Sequence, residues 1–240
     1  MPRFYDPQSF SAHVETRLAD AAAHHAANVL RMQAGDELTL FNGQGGEWQA
    51  RILSISKKQV VVVPLTFDAI NRTSLLAIHL WLPLIKGERL DWALQKATEM
   101  GAASIQLYTS ERTEVRLNAE RLDKKLSQWQ SILIGACEQS GLNLLPALHA
   151  PQPLAKLWDT ASHSCRLIAL PKGTATWQQA TQQTNNILLL TGPEGGFSPQ
   201  EEACANTHHF MPFTLGERVL RAETAPIALM AALHARAAVN

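Results

Sequence analysis

The chain has 240 residues and a mass of 26.4 kDa. Its 21 basic and 21 acidic side chains cancel, which argues against broad, charge-driven coating of nucleic acid. With 46% hydrophobic and 18% charged residues it has the apolar surface for a core and too little like charge to stay disordered.

The length fits one larger and one smaller domain at about 150 residues per domain. No apolar run reaches the roughly 20 residues of a membrane span. The opening MPRFYDPQSF lacks a basic-then-apolar leader, so a cytoplasmic location is expected. Cys137, Cys165 and Cys204 form no CxxC pair and read as buried thiols, not as a disulfide framework or zinc site. The charge balance also holds locally: residues 1–72 carry seven basic and seven acidic groups, residues 73–150 eight and eight, and residues 151–240 six and six. Positive charge for an RNA partner would therefore have to be focused by folding.

In chain order, Phe10 to Arg31 contains a short helix around HHAANVLR. Alternating runs at Glu37 to Phe41, Trp48 to Ile55 and Gln59 to Leu65 predict strands, the first two joined as a hairpin by the turn FNGQGG. This portion resembles a small β-barrel. The polar stretch NRTS near Asp68 to Ser74 marks a linker, giving domains at 1–72 and 73–240. Beyond it strands and helices alternate: strand Leu76 to Leu84, helix Glu88 to Met100, strand Ser104 to Tyr108, and a long helix capped by Asn118 and ended by Gly141. Strands at Arg166 to Leu170 and Ile187 to Leu190 flank a polar helix around Trp177 to Gln183; strand Met211 to Leu215 and helix Ile227 to Ala238 complete the series. Such alternation predicts an α/β domain with a mostly parallel, doubly covered sheet.

Two stretches carry chemistry. In LLLTGPEGGFSPQEE a buried strand runs into Gly192, Glu194, Gly195 and Gly196, and Ser198, Pro199 and Glu201 then open a helix as a capping box. Clustered glycines let backbone approach a ligand, although GPEGG alone also suits an ordinary βα turn. In FTLGERVLRAETAPIAL, Arg218, Arg221, Glu217 and Glu223 crowd eight residues between a strand and a helix. Neither GxxxxGK[ST] nor a strand-to-helix GxGxxG occurs, which argues against P-loop and dinucleotide sites.

Together these two stretches resemble the C-terminal signature of the SPOUT methyltransferases, and in particular the RsmE family, which methylates N3 of one uracil in small-subunit ribosomal RNA. HHAANVLRMQAGDELTLFNGQGGEWQARI is similar to that family's PUA-like N-terminal barrel, and KGERLDWALQKATEMGAASIQLYTSERT and ACEQSGLNLLP to its middle motifs. The resemblance covers nearly the whole chain. It implies a SPOUT-type α/β domain with a C-terminal trefoil knot, a homodimer, no metal, and S-adenosylmethionine (SAM) as cofactor. The implied cofactor contacts are Thr191, Gly192, Glu194 and Gly195 on one side and Leu215, Gly216, Val219, Leu220, Arg221 and Thr224 on the other. The implied substrate is 16S ribosomal RNA, in an assembled subunit.

Uracil N3 is a weakly acidic imide, so the chemistry needs in-line positioning, a proton acceptor and donors for charge on O2 and O4. Arg221 and Arg112 are candidates for the charge. Glu223 is a candidate acceptor or an anchor for Arg221, and Glu194 faces the sulfonium, the amino group or backbone amides. Arg31, Lys86, Arg112 and His25 are candidate RNA contacts; His24 and His25 also read as surface or capping residues. His208 and His209 lack a second ligand at helical spacing, and the six tryptophans read mainly as core. Leu142 and Leu144 depart from the pattern, since the family usually shows arginine in at least the first place. The alternatives are a SPOUT enzyme acting on another RNA position, such as a ribose 2′-hydroxyl, and a non-catalytic RNA-binding assembly factor.

Overall fold

A computed structural model describes residues 1–56, 59–115, 119–173 and 184–237. The expected polar helix around Trp177 to Gln183, the Asn118 cap and Ala238 lie outside the described residues. The chain divides into two compact units, Met1–Thr73 with Ile134–Leu145, and Ser74–Leu133 with Pro146–Asn240.

The first unit is built on a five-stranded sheet in the order β1-β3-β4-β5-β2, with β1 Arg3–Tyr5, β2 Thr16–Arg17, β3 Glu37–Phe41, β4 Glu47–Ile55 and β5 Val60–Asp68. Alternation along these strands buries Leu38, Leu40, Ala50, Ile52, Val60 and Val62 against Phe4 and Leu18. The hairpin turn between β3 and β4 is where glycine is required: Gly46 has φ +68°, and a Cβ there would meet the Phe67 ring at 2.3 Å. The expected helix before the sheet is short, α1 Asp20–His24, continued by a wider π-type turn at His25–Val29. Buried Glu47 accepts from Arg3 at 2.8 Å and from Arg72 at 2.9 and 3.0 Å. Those guanidiniums, Arg72 foremost, hold its carboxyl below the usual range against the opposing effect of burial.

The segment Ile134–Leu145 completes this unit. Leu142 packs with Phe41 and Cys137, and the buried Asn143 side chain donates to the Ile70 carbonyl at 2.7 Å while accepting from the Arg72 amide at 3.3 Å. The position where the family pattern expects arginine is therefore a core position here.

The second unit holds a six-stranded parallel sheet in the order β11-β9-β10-β6-β7-β8. Its strands are β6 Ala77–Pro83, β7 Ala102–Thr109, β8 Ala147–Pro153, β9 Cys165–Ala169, β10 Asn186–Leu190 and β11 Met211–Phe213. The helices are α2 Glu88–Glu99, α3 Ala119–Ser140, which is shared with the first unit from Ile134 onward, α4 Pro199–Thr207 and α5 Thr224–Ala237. Central β6 and β10 are apolar on both faces, as a doubly covered sheet requires. Strand β8 was not predicted because His149, Pro151, Gln152 and Pro153 break its pattern; its place at the sheet edge tolerates the prolines. The last strand ends at Phe213, short of the expected Leu215, which is exposed.

The thiols of Cys137 and Cys165 are buried, which pushes them up to about 12 and about 11; Cys204 is only half-buried. Trp81, Trp129 and Trp158 are core, but Trp92 on α2 is 42% exposed, so the reading of the tryptophans as core needs correction there. Trp177 lies outside the described residues.

Candidate active site

All six strands of the second unit run in one direction, so their C-terminal ends share one edge of the sheet. At β6 the topology splits: β7 lies on one side and β10 on the other. A crevice opens outside the strand ends at such a switch point. The start of α2 and the loops after β7, β9, β10 and β11 meet there, around a cleft of 570 Å³ lined by Arg89, Arg112, Leu170, Gly192, Glu194, Leu220 and Glu223 among others. A smaller hollow of 80 Å³ shares part of that lining and adds Thr214, Leu215, Arg218 and Leu229.

The loop after β10 is held from several directions. Thr191 is fully buried; its amide donates to the Trp81 carbonyl at 3.2 Å, and its own carbonyl accepts from the buried Tyr108 hydroxyl. Burial, with Glu201 adding to it, drives the Tyr108 phenol well above its ordinary range, so it remains a donor. Ser198 and Glu201 form the predicted capping box. The Glu201 carboxylate also accepts from the Glu111 amide at 3.0 Å, which fastens the turn after β7 to this loop. The neighbouring Arg112 donates to the Gly195 carbonyl at 2.9 Å.

Glu194 Oε1 lies 3.5 Å from the Lys86 amide and 3.9 Å from Arg89 Nη1. Across the cleft, Glu223 Oε1 lies 3.9 Å from Arg89 Nε. The expected anchoring of Arg221 by Glu223 is replaced by this approach of Arg89, while Arg221 is exposed and its backbone carbonyl accepts from the amides of Thr224 and Ala225. Glu223 is largely buried, and among the described residues its Oε2 has no hydrogen-bond partner; nor has the buried Thr191 Oγ1.

Of the expected cofactor contacts, Gly192, Glu194, Gly195, Val219, Leu220 and Arg221 line the cleft, and Leu215 lines the smaller hollow. Thr191, Gly216 and Thr224 belong to the same loops without lining either space. Arg112 lines the cleft, whereas the exposed Lys86 ion-pairs with Glu114, which raises the lysine and lowers the carboxyl. Arg31 and His25 lie in the first unit. Arg31 is exposed with φ +51°, and His25 stands edge-on to Phe4 and 3.4 Å from Glu138. His208 stacks on Trp158 and meets Asp159 at 3.5 Å. No group of three or more metal-ligating side chains occurs among the described residues. Sequence reasoning missed Arg89, Tyr108 and the Leu170–Pro171 wall. Arg89 stood in the quoted KGER motif, and only the pairing of β6 with β10 reveals what it faces.

Comparison with known proteins gives the class first. Residues 72–234 match the RNA methyltransferase domain family, and residues 18–65 match the RNA methyltransferase PUA domain. A ribosomal RNA small subunit methyltransferase E from Buchnera aphidicola (subsp. Schizaphis graminum) is 31% identical over 98% of this chain and 96% of its own. The Neisseria gonorrhoeae protein of that name, solved bound to S-adenosyl methionine, is 36% identical with TM-score 0.92 over 98% of each chain. A Legionella pneumophila protein solved in complex with the bound cofactor SAM is 40% identical with TM-score 0.94 over 98% of this chain and 97% of its own. The chain belongs to the ribosomal RNA small subunit methyltransferase E family.

Proposed function

We propose that the protein transfers a methyl group from SAM to N3 of one uridine in 16S ribosomal RNA. The observation that carries this reading is the meeting of the two glycine-bearing loops across one cleft at the strand ends, with a carboxylate from each in its wall. The cleft suits the cofactor. Leu170, Pro171, Leu220 and Ala225 offer an apolar shelf for a flat adenine, and Glu194 and Glu223 offset positive charge. Among the described residues the buried Thr191 Oγ1 and Glu223 Oε2, at the two loops, have no hydrogen-bond partner. When bound, the sulfonium supplies an electrophilic methyl carbon.

The protein's own groups do the rest. Arg221 and Arg112 stabilise charge that develops on the uracil oxygens, and Glu223 accepts the N3 proton. Thr191, Gly216 and Thr224 shape the loops that hold the donor. Arg31, His25, Lys86 and Arg112 contact the RNA, with shape carrying more of the recognition than net charge. The family resemblance adds a homodimer, a C-terminal trefoil knot and an assembled subunit as substrate, and the opening MPRFYDPQSF supports a cytoplasmic location; no helix among the described residues is long and apolar enough to cross a membrane. The test is mass spectrometry of ribosomal RNA from cells with and without the protein. Loss of N3-methyluridine at one 16S position is expected on deletion, and unchanged N3-methyluridine overturns the reading.

A further inference from the structure

Arg89 is the second residue of α2, one step inside a helix whose N-cap, Gly87, supplies no side chain. Its guanidinium is the point at which the start of α2 meets two loops. It sits 3.9 Å from Glu194 of the loop after β10 and 3.9 Å from Glu223 of the loop after β11, and it is itself carried on the first turn of α2. Both separations lie within ion-pair range but beyond hydrogen-bond length, so one cation is shared between two carboxylates without being committed to either. The two carboxylates are unlike. Glu194 is one-third exposed and also meets the Lys86 amide, whereas Glu223 is 13% exposed and Arg89 is its ion-pair partner among the described residues.

The Glu223 carboxylate is thus held on one side only. Oε1 faces Arg89, and the buried Oε2 has no hydrogen-bond partner among the described residues. A carboxylate held by a single cation at 3.9 Å lacks the hydrogen bonds that would satisfy it, and a donor group on a ligand in the cleft would supply one. Uracil N3–H is such a donor.

We infer that Arg89 is a positioning residue for methyl transfer: by holding Glu223 Oε1, it fixes the carboxylate that receives the N3 proton. The inference rests on the uridine-N3 reading above. In the step it serves, Glu223 takes the proton from N3, and the electron pair left on N3 forms the new N–CH3 bond. The S–CH3 bonding pair stays on sulfur, leaving a neutral thioether. Arg89 touches none of these atoms. Its contribution is orientation, and small misplacements of a reacting group cost on the order of 100-fold in rate.

The experiment is single-turnover methylation of 16S RNA and of small subunits, both from cells lacking the protein. It compares wild type, Arg89→Gln, Arg89→Lys, Glu223→Gln and the Arg89→Gln/Glu223→Gln pair. Calorimetry gives the SAM Kd and thermal melts report folding. Arg89→Gln is expected to lose on the order of 100-fold in the single-turnover rate with SAM Kd and melting temperature held. Arg89→Lys is expected to recover part of that loss. The double variant is expected to be no slower than Glu223→Gln, because both changes disable one unit. Should Arg89→Gln fail to fold, the Lys variant decides, with an expected loss of about tenfold at unchanged SAM Kd. Multiplicative losses in the double variant, or a defect confined to SAM Kd, overturn the inference. A wild type that does not methylate N3 overturns the functional reading instead.

Discussion

Arg112 and Gly195 grip one another at two points: the arginine donates to the Gly195 carbonyl at 2.9 Å, and its Cβ stands 3.0 Å from where a side chain on Gly195 would begin. The residue expected to supply charge to the substrate is therefore also a strut of the loop expected to hold the cofactor. Glu201 sets the strut by taking the Glu111 amide.

Gly195→Ala tests that coupling. The added methyl would press on Arg112 Cβ at 3.0 Å and Cδ at 3.4 Å, so the arginine must yield by a few tenths of an ångström and its bond to the loop must lengthen. Both residues are exposed, which makes the bond worth about 1 kcal/mol. Calorimetry should show SAM affinity falling about fivefold, consistent with that figure, at a nearly unchanged melting temperature.

Tyr108→Phe removes the donor to the Thr191 carbonyl in a fully buried setting. That carbonyl keeps its place under the protein and loses its partner, so the cost should be about 1–3 kcal/mol. Urea unfolding followed by fluorescence measures it. A change under about 0.5 kcal/mol would mean that the carbonyl finds another donor.

Much of this architecture could be read from residues alone, for reasons that differ by element. Helix α2 declared itself through the Leu90, Leu94, Ala97 stripe, because it buries one face, and strand β3 through its short run between turn residues, although Thr39 and Phe41 on its other face are buried as well. The capping box at Ser198 is local chemistry and was legible as such. Strands β1 and β2 were not, since three and two residues carry no periodicity and exist only through pairing with β3 and β5. Arg89 and Glu223 stand 134 positions apart, so only the strand order brings the one to the other.

His79 and His163 predict an acid-sensitive fold. Their rings lie 4.5 Å apart, and burial lowers both, taking His163 down to about 4, with His79 and Arg166 adding to the effect. The unfolded chain binds these protons near pH 6.5 while the native state resists. Stability is thus full above about pH 6.5 and should fall as the pH drops toward 4. Unfolding free energy measured across that window should slope upward with pH. His163→Gln should flatten the slope, and an unaltered slope would assign it to other groups.

Arg221→Ala removes an exposed guanidinium from the cleft wall without disturbing its backbone contacts to Thr224 and Ala225. Loss of one donor to developing charge costs about 100- to 1,000-fold in rate. The single-turnover rate should fall by that order while SAM Kd changes less than about threefold. A full rate would remove Arg221 from the chemistry, and a loss wholly in SAM Kd would make it a cofactor contact only.

Leu142→Arg asks whether the arginine of the family pattern can be restored. The leucine is 8% exposed against Phe41 and Cys137, with Tyr5 and Leu145 beside it. The nearby carboxylate, Glu138, already accepts from the Tyr5 amide at 2.9 Å and faces His25. An arginine head group would have to displace those bonds, remain unpaired, or push Phe41 aside to reach water. Burying an uncompensated charge is strongly destabilising, so the variant should lose about 3 kcal/mol or more in urea unfolding. Alanine at the same place, which leaves only a cavity, should cost about 2–3 kcal/mol. An arginine variant as stable as wild type would show that this side of the cluster opens to solvent, and the absence of arginine in this chain would then have no packing cause.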